Sequence, residues 1–235
     1  FGAASLPPEE SAAAREWVDS TLRKLIADNT ANPGDNLIAG LIDAQIVDEE
    51  DGIRPSLTED EIFGYCKRAI FAGGGTTWRQ LGIAIDALMP HRHFWEQCRE
   101  DRSLVDAAVE ESLRWRCTDP MMPRLCTQDY EVEGVVVPEG VRVILAFGAA
   151  NHDPDIYENP GVYDIHRGKI AANMGFGFGP HRCLGIEVAR QEMIVAINGL
   201  LDRFPDMILD PAKPTPEFRG LEHRGMTAVP VRLKG

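Results

Sequence analysis

From Phe176 to Gly185 the chain reads Phe-Gly-Phe-Gly-Pro-His-Arg-Cys-Leu-Gly, a glycine-rich loop carrying one cysteine directly ahead of a helix-forming segment. Apolar residues at Ile186, Ala189, Met193, Ile197, Leu200 and Leu201 follow at helical spacing. The pattern places Cys183 at a helix N-terminus, where free N–H groups and the positive dipole end favour a thiolate. Gly179 and Gly185 lack a Cβ, which leaves backbone amides room to approach the sulfur. A thiolate so held is a metal ligand or a nucleophile; as a nucleophile it needs a base, and His181 is the only near one. The bland alternative is a buried structural cysteine behind a turn.

Composition narrows the classes. The 235 residues allow one large core or two small ones, and 44% hydrophobic content marks a globular chain. A net charge of -13 argues against nonspecific binding to nucleic acid or to an anionic membrane. No apolar run reaches the ~18 residues that span a bilayer. Cys66, Cys98, Cys117, Cys126 and Cys183 are scattered, odd in number and without a C-x-x-C pair. That argues against a disulfide framework, a structural zinc site and an iron–sulfur cluster, and favours a reducing compartment. The chain starts at Phe1 rather than Met, which leaves the true N-terminus open.

The first half reads as helix. Pro7-Pro8-Glu9-Glu10 opens a helix to about Asn29, with Trp17, Thr21, Leu25 and Val18, Leu22, Ile26 along its inner side. Asp35 or Asn36 caps a second helix through about Val47, and the acidic stretch from Asp48 to Asp51 reads as a solvated loop. Thr58-Glu59-Asp60-Glu61 is a capping box at the start of a long helix ending near Pro90. A short helix spans His91 to about Glu100, and Ser103-x-x-Asp106 starts another that reaches about Arg116. Tyr130–Val137 and Val141–Ala146, joined by Pro138-Glu139-Gly140, read as a strand pair. Residues 151–175 are irregular, and a last short strand covers Val229 to Leu233.

Two further clusters stand out. Ala72-Gly73-Gly74-Gly75-Thr76-Thr77 puts three glycines inside the long helix, each costing on the order of 1 kcal/mol relative to alanine. Either two helices meet at a loop there, or the helix is distorted to admit a flat group. Glu111-Ser112-Leu113-Arg114 is an i,i+3 acid–base pair whose default reading is a surface ion pair worth little.

Taken together, Phe176-x-x-Gly179-x-x-x-Cys183-x-Gly185, continued by Ala189-Arg190 and Glu192, resembles the haem-binding signature of the cytochrome P-450 superfamily. The resemblance implies that Cys183 is the thiolate ligand of haem iron, with Phe176, Gly179 and Gly185 shaping its loop. It likens Ala72, Gly73 and the residues after them to the family's oxygen-binding groove, in which Thr76 is the threonine that assists oxygen activation and Thr77 its neighbour. The groove's usual acidic position is Gly75, which puts the usual proton route in doubt. Glu111 and Arg114 match the family's structural Glu-x-x-Arg pair. The third basic residue of that cluster falls at Val162, leaving Arg167 or His166 to substitute. Arg124 and His181 match partners of the haem propionates, and arginine suits carboxylates bidentately. Met121, Met122 and the turn Gly225-Met226-Thr227 border the substrate pocket by the same resemblance, against a bland reading as core.

The resemblance implies a mainly α fold with small β-sheets (α+β). Residues 1–235 are then the C-terminal part of the family fold, from its G helix to the C-terminus. It implies a cytoplasmic haem b monooxygenase that acts on an apolar small molecule with O2 and electrons from a ferredoxin and ferredoxin reductase. Arg99, Arg102, Arg116 and Arg182 form a candidate basic docking patch. Gly75 keeps a peroxygenase or rearranging enzyme open. A haem-free fragment that self-associates is the non-enzymatic alternative.

Overall fold

The computed structural model describes residues 7–48, 52–168 and 170–233. The chain divides into two compact units, residues 1–75 and 76–235. Seven α-helices and ten short strands are described: α1 (Pro8–Ala31), α2 (Leu37–Asp43), β1 (Gln45–Asp48), β2 (Gly52–Ser56), α3 (Glu59–Leu88), α4 (Arg92–Glu100), α5 (Leu104–Trp115), β3 (Met122–Leu125), β4 (Tyr130–Val132), β5 (Val135–Val137), β6 (Arg142–Leu145), α6 (Phe147–Ala150), α7 (Ile186–Arg203), β7 (Ile208–Leu209), β8 (Phe218–Arg219), β9 (Gly225–Met226) and β10 (Val231–Arg232). The strands form five antiparallel two-stranded sheets, so the architecture is helical with small sheets.

In the first unit, Leu22 and Ile26 of α1 pack with Ile62 and Cys66 of α3. Arg23 bridges Glu59 and Asp60, and Lys67 reaches Asp19. Only part of the inner stripe expected for α1 is covered: Trp17 is 69% exposed and Leu25 is 43% exposed. The Asn36 carboxamide caps α2 by accepting from the Ile38 and Ala39 amides at 3.0 and 3.1 Å. That helix ends at Asp43, short of Val47, because residues 45–48 pair with β2. Glu49 to Asp51 lie outside the described residues.

The capping box before α3 forms as expected: the Glu61 amide donates to Thr58 Oγ1 at 3.3 Å, and the Thr58 amide donates to Glu61 Oε2 at 2.8 Å. Ser103 does not cap α5. Its amide and hydroxyl both donate to Asp101 Oδ1 instead.

The second unit's core is built from Leu88 of α3, Trp95 and Cys98 of α4, Val105 and Val109 of α5, and Met193, Ile197 and Leu201 of α7, with Tyr163 and Ile165 from the irregular segment. The expected strand pair is replaced by two others. Glu133 (φ 48°) and Gly134 (φ 77°) make a two-residue turn that folds β4 onto β5, and β6 pairs with β3, twenty residues upstream.

Candidate active site

The cysteine loop is shaped by backbone conformation. Gly177 and Gly179 have φ of 72° and 77°, a region that glycine enters without steric cost. The Cys183 amide donates to the Phe176 carbonyl at 2.9 Å and closes the loop, which contains a 3₁₀ turn over Gly179–His181. Gly185 caps α7, so Cys183 lies two residues ahead of the cap rather than in the first turn. Cys183 is exposed, as are Phe178 at 74% and Leu184 at 80%. Among the described residues no hydrogen bond joins His181 to Cys183, so the nucleophile–base arrangement lacks its defining contact.

Of two adjacent carboxylates on α5, Glu110 holds the segments on either side of this loop and Glu111 holds the irregular segment before it. Glu111 and Arg114 are fully buried and bound bidentately at 2.7 and 2.8 Å, not a surface pair. Arg114 spends its remaining N–H groups on the carbonyls of Asn151, Pro160 and Val162, which ties the irregular segment to the helix. Arg167, not His166, adds the third basic group, donating to Glu111 Oε1 at 3.1 Å and to the Val162 carbonyl at 2.7 Å. His166 instead meets Gln97. Glu110 binds Arg190 of α7 at 2.6 and 3.1 Å and accepts from Asn173 Nδ2 at 2.9 Å. The Glu110 hydrogen bond is the main reason the Arg190 guanidinium is held even more firmly protonated than usual. Asn151 Oδ1 takes the Met174 amide at 2.6 Å, and a Cβ on Gly175 would meet Leu113 at 3.1 Å, so the loop's entry lies against α5.

Helix α3 runs unbroken through the glycine cluster. Ala72 and Gly73 are exposed, Gly75 is buried, and Thr76 and Thr77 are half-buried. Gln80, which the sequence pattern did not mark, is 3% exposed and saturated. Its Nε2 donates to Ser112 Oγ and the Arg116 carbonyl, and its Oε1 accepts the amide and hydroxyl of Thr118. This network ties the Thr76 half of α3 to the segment that leads into β3.

Arg124 lies on β3 opposite Val143, on the face it shares with Met122 and Leu145, and donates to the Pro123 carbonyl at 2.8 Å. His181 is exposed in its 3₁₀ turn. Met121, Met226 and Gly225 are half-buried, and Gly225 approaches Arg79 closely. The candidate basic patch is largely compensated: Arg99 pairs with Glu96, Arg102 with Asp202 and Arg116 with Asp86. Arg182 alone of the four is exposed without a carboxylate among the described residues.

The residues present fit a haem. A soft sulfur donor stands exposed at the loop's end. A Cβ at Gly179 or Gly185 would meet nothing of this chain within 4 Å, so the loop leaves open space beside the cysteine. Phe178 and Leu184 leave apolar surface exposed in the same loop. Among the described residues no cluster of three or more His, Cys, Asp or Glu forms an alternative metal site.

A cysteine on a glycine-turned loop and a buried Glu-x-x-Arg cluster, in a helical fold with small sheets, resemble the haem-thiolate class. The cytochrome P450 family profile matches residues 9–229, and the chain belongs to that family. It is 35% identical over 212 residues to cytochrome P450 105C1 of a Streptomyces species, covering 89% of this chain and 53% of that protein. It is also 35% identical over 223 residues to the polyketide biosynthesis cytochrome P450 PksS of Bacillus subtilis, covering 94% and 53%. The crystal structure of CYP109E1 from Bacillus megaterium with testosterone superposes with a TM-score of 0.89 at 27% identity, over 97% of this chain and 61% of that one. The chain thus spans about half the length of the curated relatives it matches.

Proposed function

We propose that this chain is the C-terminal, haem-ligating part, from the G helix to the C-terminus, of a monooxygenase that inserts one oxygen atom of O2 into an apolar small molecule. The observation that carries this reading is Cys183, exposed at the end of a loop whose entry and exit are both clamped to α5. Cys183 ligates haem b, and Arg124 and His181 take its propionates. When bound, the haem supplies the redox chemistry of oxygen activation, tuned by the thiolate. Ala72 and Gly73 leave α3 bare of large side chains, so a flat group and a small gas molecule reach it. The Thr76 hydroxyl, with Thr77 beside it, holds and passes a proton in that groove. Glu111, Arg114 and Arg167 hold the irregular segment that leads into the cysteine loop. Electrons come from a ferredoxin and its reductase. A cytoplasmic location accords with the absence, among the described residues, of any helix long and apolar enough to cross a membrane.

One observation favours a second reading. Gly75 is buried and carries no carboxylate where the family's groove has an acid. Peroxide-driven or rearranging chemistry, which does not depend on that proton route, is the alternative.

The test is Cys183→Ser in the full-length protein. The ferrous–CO spectrum should lose its thiolate signature, and an unchanged spectrum overturns the assignment. Turnover with peroxide against turnover with a ferredoxin system separates the two enzymatic readings. A wild type without haem would leave only the inactive fragment.

A further inference from the structure

A cleft of about 220 Å³ in the second unit is lined by Trp115, Arg116, Cys117, His152, Phe218 and Arg224. It is too small for a drug-sized apolar molecule, which needs roughly 300 Å³ or more, and large enough for an oxyanion with a few waters. Its charge is unbalanced. Both guanidiniums lie over the Phe218 ring, Arg224 at 4.3 Å and Arg116 at 5.2 Å from its centroid. Arg116, also stacked on Trp115 at 3.9 Å, has one carboxylate partner, Asp86, at 3.4 Å. Arg224 is anchored by its backbone, which donates to the Thr118 carbonyl at 2.7 Å. No carboxylate among the described residues pairs with its guanidinium. The neighbouring Asp119 is engaged by the ring and backbone of His223. His152 places Nδ1 2.9 Å from the Gly148 carbonyl, so the proton sits on Nδ1 and Nε2 is the ring's other polar edge. Repulsion from Arg224 also acts, after burial, to weaken the proton affinity of Arg116. Such a concentration of positive charge is unexpected on a chain of net charge -13.

We propose that this cleft is an oxyanion site in which Arg224 and Arg116 together grip one carboxylate or phosphate group. Two guanidinium forks in one cleft, each stacked on the same aromatic ring, suit a charge-assisted, bidentate grip. The group comes either from a free small anion or from an acidic side chain of polypeptide beyond these residues.

Calorimetric titration of the 235-residue chain with inorganic phosphate, and separately with acetate, at constant ionic strength tests it. Saturable binding of at least one anion is expected, weakened about tenfold or more by Arg224→Gln and partly by Arg224→Lys. Arg142→Gln, an exposed arginine on β6, should bind as the wild type does; circular dichroism confirms that each variant is folded. Absence of saturable binding with both anions, or equal binding by Arg224→Gln, overturns the proposal. In a longer form of the protein, retained anion binding identifies a free ligand. Lost anion binding, together with destabilisation by Arg224→Gln, identifies an acidic side chain as the occupant.

Discussion

At the residue scale, burial decides how each ionisable group behaves. Glu111 receives four donors and has no exposed surface, so truncating it strands the Arg114 guanidinium in the interior. The expected cost of Glu111→Ala is about 3–5 kcal/mol, a large share of a domain's total stability. Soluble yield and haem content should both collapse; normal values for both would show that the cluster is dispensable. The cysteines divide in the same way. Burial pushes the thiols of Cys98 and Cys117 up to about 11. Alkylation at pH 8 should label Cys183 first and leave Cys98 and Cys117 intact until the protein unfolds, as peptide mass spectrometry would reveal. Their effect on stability has a definite sign. The folded state keeps these protons where the unfolded chain, titrating near 9, has lost them, so stability is complete below pH ~9 and declines as pH rises toward ~11. Denaturant midpoints at pH 8 and pH 10.5 should differ in that direction.

At the scale of elements, α3 and α5 do the positioning. Three consecutive glycines leave α3 without side-chain packing at its middle, and Gln80 supplies a polar tie just beyond them. Gln80→Leu fits the volume but strands the buried amide and hydroxyl of Thr118, while the Ser112 hydroxyl keeps the Val109 carbonyl. Each orphan costs about 1–3 kcal/mol, which should lower the melting midpoint by several degrees. Thr76→Ala should raise peroxide release relative to product in the full-length protein. Unaltered coupling would mean that protons arrive by another path. On α5, Glu110→Gln exchanges a charge-assisted bidentate contact for a weaker neutral one. It should broaden or split the ferrous–CO band through a looser cysteine loop while leaving the Glu111 cluster in place. A single unshifted band would show that Arg190 does not position the loop.

At the scale of the whole molecule, apolar surface is left uncovered. Phe178, Leu184, Val188 and Val195 in the second unit are each more than 60% exposed, as is Trp17 in the first. Exposed apolar side chains favour association where they gather into a patch. The 235-residue chain is expected to self-associate and to bind haem weakly, as light scattering and a haem titration would report. A monodisperse monomer with tight, stoichiometric haem would contradict this.

What the sequence determined by itself was whatever is encoded locally. The long helices, the capping box at Thr58, the Asn36 cap and the glycine loop around Cys183 depend on neighbours within a few positions, so periodicity and turn chemistry display them. Tertiary structure decided the rest. The partner of β6 is β3 rather than the nearer β4–β5 hairpin, and the strand at residues 45–48 exists only because residues 52–56 pair with it. The Glu111–Arg114 pair was legible as a pair, but not as a buried one. Burial comes from the packing of an irregular segment 37 to 56 residues further along the chain, as does the contribution of Arg167. Gln80 and Glu110 gave no local signal, because a polar residue in a helix reads as solvated until a distant backbone closes over it. Hydrogen-bond satisfaction inside a core is a property of non-local contacts, which no window of sequence displays.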